Sequence, residues 1–383
     1  MFRAKLNQMM QILQMLIPYI VQEDDMYKPT DEAVALAVLS FACNGVDSLS
    51  AYLAKHYRGG NSIALIQRLQ EMSISYSTGF TLPDYSDLLQ CLAQEPHTSD
   101  LAPQLRQRLL SWLHALAPYA RMSLSSLANA MTCNYKYWII DASSPYWPRQ
   151  LNHISTRTDS EAPLCLWGLG SIDALCSCDA PISIVGSRSV DAYGRYVAFH
   201  AGKYAAMHGH MVVSGGALGA DAAAHWGALA ASDILDEPGR TVAIMAGGLH
   251  HMGPTRNTTL FERILQSEGA IISELAPDVV PEPYRFLERN RLIAALGSTL
   301  IVAQAQHRSG ALNTATWAAT MNRDVLAAPG NIHEPYNSGC NRLIANHKAS
   351  VLVSATDMSD VCHPAHDPYK TSSHTTDTSL SPP

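Results

Sequence analysis

Six short apolar runs recur between residues 182 and 328, and amphipathic segments separate them. Each run has the length of a buried strand and is too short for a stable helix. Short apolar strands that alternate with helices predict a mostly parallel, doubly wound sheet covered by helices on both faces. Ligands bind to such a sheet beyond the carboxyl ends of its strands, so we expect the functional residues directly after the runs. The runs span residues 182–185, 211–213, 241–246, 270–273, 299–302 and 324–328.

A helical period dominates residues 31–130 instead. Val34, Val38 and Phe41 recur at i, i+4 and i+7, which is typical of an amphipathic helix, and no chemical motif occurs in this region. The predicted fold class is therefore α/β: a Rossmann-like doubly wound, mostly parallel sheet, preceded by a small all-helical N-terminal domain.

Composition suggests the domain boundaries. Residues 131–177 include a stretch rich in Pro, Tyr and Trp and are predicted to connect the helical domain to a Rossmann-like domain over residues 178–360. Residues 1–30 are predicted to be an N-terminal extension. The Ser-, Thr- and Pro-rich segment 361–383 is predicted to be a disordered tail.

Charge and cysteine usage limit the classes of partner. The 383 residues carry a net charge of -7, so any contact with nucleic acid must come from a local basic patch. None of the eight scattered cysteines forms a CxxC pair, so we expect reduced thiols, no metal and a cytoplasmic location. Glutamines interrupt the apolar N-terminal run, and no uncharged apolar run is long enough to cross a membrane, so neither export nor membrane insertion is expected.

Gly186, Ser187 and Arg188 directly follow the first run. The glycine permits close backbone approach, the serine offers a hydroxyl group, and the arginine fork matches a phosphate. An ordinary strand-to-helix turn with a solvated arginine is the alternative interpretation of so short a motif.

A glycine-rich turn, SGGALGAD, follows the second run and begins at Ser214. Gly215, Gly216 and Gly219 leave backbone N–H groups free at the start of a helix, where an anion is stabilised by the helix dipole. The spacing matches neither the dinucleotide fingerprint nor the Walker pattern. A tight turn that serves helix packing is the alternative.

Basic residues are concentrated near the end of the chain. Residues 283–348 contain seven basic and three acidic side chains, and Phe286 lies among the arginines. An aromatic ring for base stacking, combined with arginines for phosphates, is the physical basis of single-strand binding. The alternative for Phe286 is a ring buried in the core.

Several motifs in order resemble the DprA/Smf family of bacterial DNA-processing proteins, and the resemblance covers residues 141–358. It implies a protein that binds single-stranded DNA, loads the RecA recombinase onto it during natural transformation, and forms a homodimer. Neither catalytic activity nor a cofactor is expected, because Asp221 and Glu274 near strand ends have no second carboxylate or histidine at motif spacing. The motifs are VGSR at 185–188, SGGALGADAAAHWGAL at 214–229, PTRNTTLFERIL at 254–265, GAIISE at 269–274, FLERNRLIAAL at 286–296, SGALNTA at 309–315 and APGN…SGCNRLI at 328–344.

The resemblance also implies residue roles. Arg188 would contact a phosphate, Phe286 would stack on a base, and Arg308 would be the basic residue before Ser309 and Gly310. Arg285 stands where some members carry a lysine. Arg289, Asn290 and Arg291 would line the pocket, while Ser214, Gly215 and Gly216 would supply backbone donors. The complete predicted DNA-binding set is Gly186, Ser187, Arg188, Ser214, Gly215, Gly216, Arg285, Phe286, Arg289, Asn290, Arg291, Arg308, Ser309 and Gly310.

Two other functions compete with this hypothesis. Nucleotide-processing hydrolases of the lysine-decarboxylase-like group share the predicted fold and similar glycine-rich turns, but their PGGxGTxxE stretch does not occur here. A nucleotide-sensing or protein-interaction module is the second alternative. Salt dependence would distinguish that module from a DNA-binding protein, because phosphate binding by several arginines weakens steeply with added salt.

Overall fold

The computed structural model describes residues 27–79, 81–94 and 101–362. Most of the predicted N-terminal extension and nearly all of the predicted disordered tail lie outside these residues. Within them, a helical unit precedes a nine-stranded, mostly parallel sheet that is covered by helices, as the fold-class prediction requires. No helix in these ranges is both long and apolar enough to cross a lipid bilayer.

The helical unit begins where Thr30 caps the first helix by accepting a hydrogen bond from the Ala33 N–H. Val34 and Val38 are fully buried, and Phe41 is half-buried with its ring 5.2 Å from that of Tyr119. The helices are α1 (Asp31–Cys43), α2 (Ser48–His56), α3 (Ser62–Gly79), α4 (Ser86–Leu92), α5 (Ala102–Leu116) and α6 (Leu124–Met131).

The sheet has the strand order β1-β2-β6-β5-β4-β3-β7-β8-β9. Strand β2 is antiparallel to both of its neighbours, β1 and β6, and all the other pairs are parallel. The six predicted runs correspond to β3 to β8. The strands are β1 (Trp138–Ile140), β2 (Leu166–Gly170), β3 (Ile182–Gly186), β4 (Val212–Gly215), β5 (Thr241–Ile244), β6 (Ala270–Ser273), β7 (Thr299–Gln304), β8 (Asp324–Ala327) and β9 (Ser350–Val351).

The predicted connecting segment contributes β1 and β2 to the sheet, which the sequence interpretation did not include. The Trp167 ring is fully buried, and its Nε1 donates to the Met131 carbonyl oxygen at 3.1 Å. One continuous apolar core therefore joins the helical unit to this end of the sheet. Strands of three and five residues among Pro and Trp carry too little periodic signal to be recognised from sequence.

Helices cover both faces of the sheet. The strand order reverses at β3, which pairs with β4 on one side and β7 on the other, so a crevice opens where the connections to these strands diverge. The helices after the helical unit are α7 (His153–Arg157), α8 (Ala192–Met207), α9 (Ala220–Ser232), α10 (Thr258–Gln266), α11 (Pro283–Leu296), α12 (Gly310–Thr320) and α13 (Ser338–Ala345).

Helices α8 and α9 pack backbone against backbone. A Cβ atom at Gly202 would collide with the Ala224 carbonyl group, and one at Gly227 would collide with that of Phe199. Alanine residues fill most of the remaining contact, so the two helices lie unusually close together.

Gly227→Ala should lower the free energy of unfolding by about 1–3 kcal/mol, because the new methyl group meets backbone atoms that cannot turn away. Urea denaturation measures the change. Gly310→Ala is the matched control, since no atom lies within 4 Å of the added Cβ. Equal stability of the two variants would contradict the close helix packing.

Candidate nucleic-acid interface

A cavity of about 600 Å³ opens beyond the carboxyl ends of β3 and β7, where the reversal of strand order predicts a ligand site. Helix α11 and the first turn of α12 form its other walls. The structure brings together nine of the predicted residues around this cavity: Gly186, Ser187, Arg188, Phe286, Arg289, Asn290, Arg308, Ser309 and Gly310.

A buried amide holds the turn after β3. The Ser187 N–H donates to the Gln304 carbonyl oxygen at 2.8 Å, and the Gln304 amide nitrogen donates to Asp191 at 2.8 Å and to Asn337 at 3.0 Å. The Ser187 carbonyl oxygen accepts from the Ala220 N–H. The Ser187 N–H and carbonyl groups are therefore used in hydrogen bonds within the protein, and the exposed Arg188 side chain lines the cavity.

Arg188 and Phe286 form a stacked pair at the mouth of the cavity. The Arg188 guanidinium carbon lies 4.6 Å from the centroid of the Phe286 ring, within the range of a cation–π contact. Phe286 is half-buried and belongs to none of the apolar clusters of the described residues. The two side chains also line a second, more apolar cavity of about 380 Å³, so they form part of the boundary between two adjacent cavities.

Arg289 lies below this pair and is nearly fully buried. Its Nη1 donates to the Ile244 carbonyl oxygen at 2.8 Å, whereas its buried Nε has no hydrogen-bond partner. Burial lowers the pKa of Arg289, and the nearby Asp221 carboxylate opposes this shift. A buried guanidinium with an unused donor favours an incoming anion.

A buried carboxylate of the protein itself, that of Asp221, lies at the glycine-rich turn. Asp221 lies in the first turn of α9, where burial raises the pKa of its carboxyl group and the Arg289 guanidinium opposes this shift. The Ser214 hydroxyl donates to the Ile184 carbonyl oxygen at 2.6 Å. A side chain at Gly215 would collide with the Arg289 guanidinium group. Ser214 and Gly215 thus lie behind the cavity wall, while Gly216 lines the second cavity. The Asn257 amide donates to the carbonyl oxygens of Gly216 and Ala217 and fixes the turn.

The start of α12 faces the cavity from the opposite side. Ser309 caps this helix by accepting from the Ala311 N–H at 3.3 Å, and Asn290 donates to the Gly310 carbonyl oxygen at 3.3 Å. The positive end of the helix dipole therefore lies beside the exposed Arg308 side chain.

Arg285 and Arg291 do not line this cavity, whereas Arg291 was predicted to line the pocket. Arg291 donates from two nitrogens to the two carboxylate oxygens of Glu274, each at 2.6 Å. Arg285 donates to the Asn44 carbonyl oxygen of the helical unit. Arg291 lies five positions after Phe286, which places their side chains on different faces of α11.

Nine lining residues were missing from the predicted set, among them Asp221, Gln306 and Thr314. Asp221 is the last residue of the glycine-rich turn, Gln306 lies two residues beyond β7, and Thr314 lies one helical turn after Gly310. Helical spacing from Gly310 could have identified Thr314.

The charge of the cavity suits a polyanion. Three arginines, Arg188, Arg289 and Arg308, face a single carboxylate, that of Asp221. Among the described residues, neither histidine nor cysteine lines the cavity. Arginine forks, a helix N-terminus and an aromatic ring together can bind phosphates and an unpaired base.

The fold and the site define a Rossmann-like α/β protein with a cationic cleft at the strand switch point. The pattern of the DNA recombination-mediator protein A family matches residues 138–363. The chain belongs to this family, as the resemblance to DprA/Smf predicts.

Individual relatives agree with this assignment. The chain is 39% identical over 202 residues to a DprA from Mycobacterium tuberculosis, an alignment that covers 53% of this chain and 50% of that protein. It is 32% identical over 287 residues to the Escherichia coli protein Smf, which covers 75% of this chain and 71% of that protein. The chain therefore spans about half the length of the first relative and about 71% of the second.

Solved structures show the same fold. DprA from Streptococcus pneumoniae superposes with a TM-score of 0.57 at 23% identity, covering 83% of this chain and 99% of that one. DNA processing protein A from Helicobacter pylori, whose structure concerns its own mode of binding single-stranded DNA, gives a TM-score of 0.51 at 25% identity. That alignment covers 59% of this chain and 94% of the H. pylori chain.

The Arg291–Glu274 ion pair is expected to stabilise the fold. Arg291→Met should lower the free energy of unfolding by about 3–5 kcal/mol, because it leaves the Glu274 carboxylate buried without its partner. The double variant Arg291→Met/Glu274→Leu should recover most of this loss. Thermal melting compares the two proteins, and a single variant as stable as the parent would contradict a structural role.

His225 predicts a dependence of stability on pH. Its Nε2 lies 3.1 Å from the Gly215 carbonyl oxygen, and burial lowers its pKa to about 4. The unfolded chain binds a proton near pH 6.5, so stability present above that pH is lost as the pH falls towards 4. The shift corresponds to about 3 kcal/mol.

Urea denaturation between about pH 7 and pH 5 measures this loss, because few carboxylates titrate there. The His225→Gln variant should show a flatter dependence of unfolding free energy on pH than the parent. Parallel curves for the two proteins would show that His225 does not carry the effect.

Proposed function

We propose that this protein binds single-stranded DNA in the cavity beyond β3 and β7 and holds it without chemical conversion. The observation that carries the proposal is the stacked pair of Arg188 and Phe286 between two adjacent cavities. One side chain offers charge to a phosphate, and the other offers an aromatic surface to a base, so a single nucleotide can use both.

The charges of the cavity support a ligand with several phosphates. Arg188, Arg289 and Arg308 all line the cavity, and the buried Arg289 keeps one donor without a partner. A strand that crosses the cavity would place successive phosphates near these cations. The H. pylori relative is described as binding single-stranded DNA, which agrees with this proposal.

The shape of the site favours unpaired bases over a duplex. Phe286 is half-buried at the wall of a concave cavity, so a base must leave its stack to reach the ring. Paired bases in a duplex have both faces covered by their neighbours, and their ring faces are not accessible for stacking.

The finer parts of the proposal rest on the family. A recombination mediator delivers a recombinase to DNA, so we extend the proposal to loading of RecA during transformation, by a homodimer that acts in the cytoplasm. Neither histidine nor cysteine lines the cavity among the described residues, which supports binding without turnover.

A salt series with labelled oligonucleotides tests the proposed roles. Arg188→Ala and Arg308→Ala should each lower the slope of log affinity against log salt by about 0.7 to 1 unit, because each removes one phosphate contact. Phe286→Ala should weaken binding by about 1–3 kcal/mol with a nearly unchanged slope, since stacking releases no counterions.

Phe286→Leu is the matched variant, because it keeps apolar volume but cannot stack. It should bind as weakly as Phe286→Ala while melting near the parent temperature. Equal affinity of the parent for single strands and duplex at the same salt would contradict a stacking pocket. Sustained release of base or phosphate from nucleoside monophosphates, abolished by Arg289→Ala, would favour the hydrolase alternative.

A further inference from the structure

A second concave surface lies beside the cavity, between the N-terminal halves of α8 and α9, with a volume of about 530 Å³. We name it the aromatic groove. Its functional side chains are Arg195, Tyr196, Phe199, His200, Leu218 and Trp226.

The rings of the groove are exposed and close together. Tyr196 is 51% exposed and Trp226 is 37% exposed, although both are large aromatic residues. The His200 ring lies 4.2 Å from that of Tyr196 and 5.4 Å from that of Phe199. Scattered exposed rings are common on protein surfaces, whereas contiguous ones mark a binding surface.

The groove carries positive charge. Arg195 is exposed at its edge, and among the described residues no aspartate or glutamate lines it. A surface of rings with an arginine and without carboxylates suits bases joined by phosphates better than it suits an acidic or purely apolar partner.

The groove adjoins the proposed DNA cavity. Arg188 and Phe286 line both the main cavity and the apolar second cavity, and Leu218 lines both that second cavity and the groove. Gly219, which also lines the groove, lies against the backbone carbonyl groups of Ser187 and Arg188. Residues 192–200 of α8 extend the surface by about 12 Å along the helix axis. The groove is therefore the neighbouring surface for a strand that leaves the main cavity past Leu218.

From this adjacency we infer that the aromatic groove is a second single-strand subsite, in which bases beyond the main cavity stack on Tyr196 and Trp226 while Arg195 contacts the backbone. This inference rests on the proposed function, because the strand must first occupy the main cavity. The two subsites together would bind a longer stretch of single-stranded DNA than the Arg188–Phe286 pair alone.

Two lengths of oligothymidylate separate the subsites, one of about six nucleotides that fits the main cavity and one of about twenty that reaches the groove. Tyr196→Ala and Trp226→Ala should each weaken binding of the long oligonucleotide about tenfold and change that of the short one less than about twofold. Trp226→Tyr should retain most of the affinity because it keeps a ring. Ile234→Ala, an exposed apolar residue just beyond α9, is the control and should bind both lengths as the parent does.

The outcomes are distinct. In one outcome, the parent protein binds both oligonucleotides through Phe286 while Tyr196→Ala and Trp226→Ala leave the ratio of the long-strand to the short-strand affinity unchanged. That result would overturn the second subsite and leave the proposed function standing. A parent protein that binds neither oligonucleotide would overturn both the second subsite and the proposed function. If Trp226→Ala instead changes the molecular mass of the DNA-free protein in solution and leaves the ratio intact, the groove is a contact between copies of the chain and the inference fails.

Discussion

The side-chain amide of Gln304 at the end of β7 is the contact on which the site depends. It donates to Asp191 before α8 and to Asn337 before α13, and its carbonyl oxygen accepts from the Asp191 N–H. The Gln304 backbone carbonyl oxygen also accepts from Ser187. One buried residue thereby fixes the turn after β3, the start of α8 and the segment before α13 at the carboxyl edge of the sheet. The geometry is well defined because leaving a buried amide without hydrogen-bond partners costs free energy.

Helix α11 links this edge to the rest of the molecule. Phe286 and Arg289 line the cavity, whereas Arg291 lies on a different face of the helix against Glu274. Arg285, one helical turn before Arg289, donates to the helical unit. Because one helix carries all of these contacts, the packing of the helical unit helps to position the cationic wall of the cavity.

Much of the α/β architecture could be predicted from the sequence, because short apolar strands separated by helices leave few alternatives. The runs at β3 to β8 and the residues that follow β3 and β7 were identified in this way. The strands β1 and β2 were not, since their signal is local and weak. Arg291 could have been separated from Phe286 by helical period alone, but a count of basic residues does not use spacing.

The sequence by itself determined the order of the strands along the chain, the family and the presence of arginines and an aromatic ring near strand ends. Only the tertiary structure decided which of those arginines share a cavity, because burial and partners depend on contacts between residues distant in sequence. It also decided that Asp221 occupies the glycine-rich turn, and that Tyr196 and Trp226, one from each of two packed helices, form one surface. Local periodicity specifies which face of a helix is apolar, but it does not specify which other element that face meets.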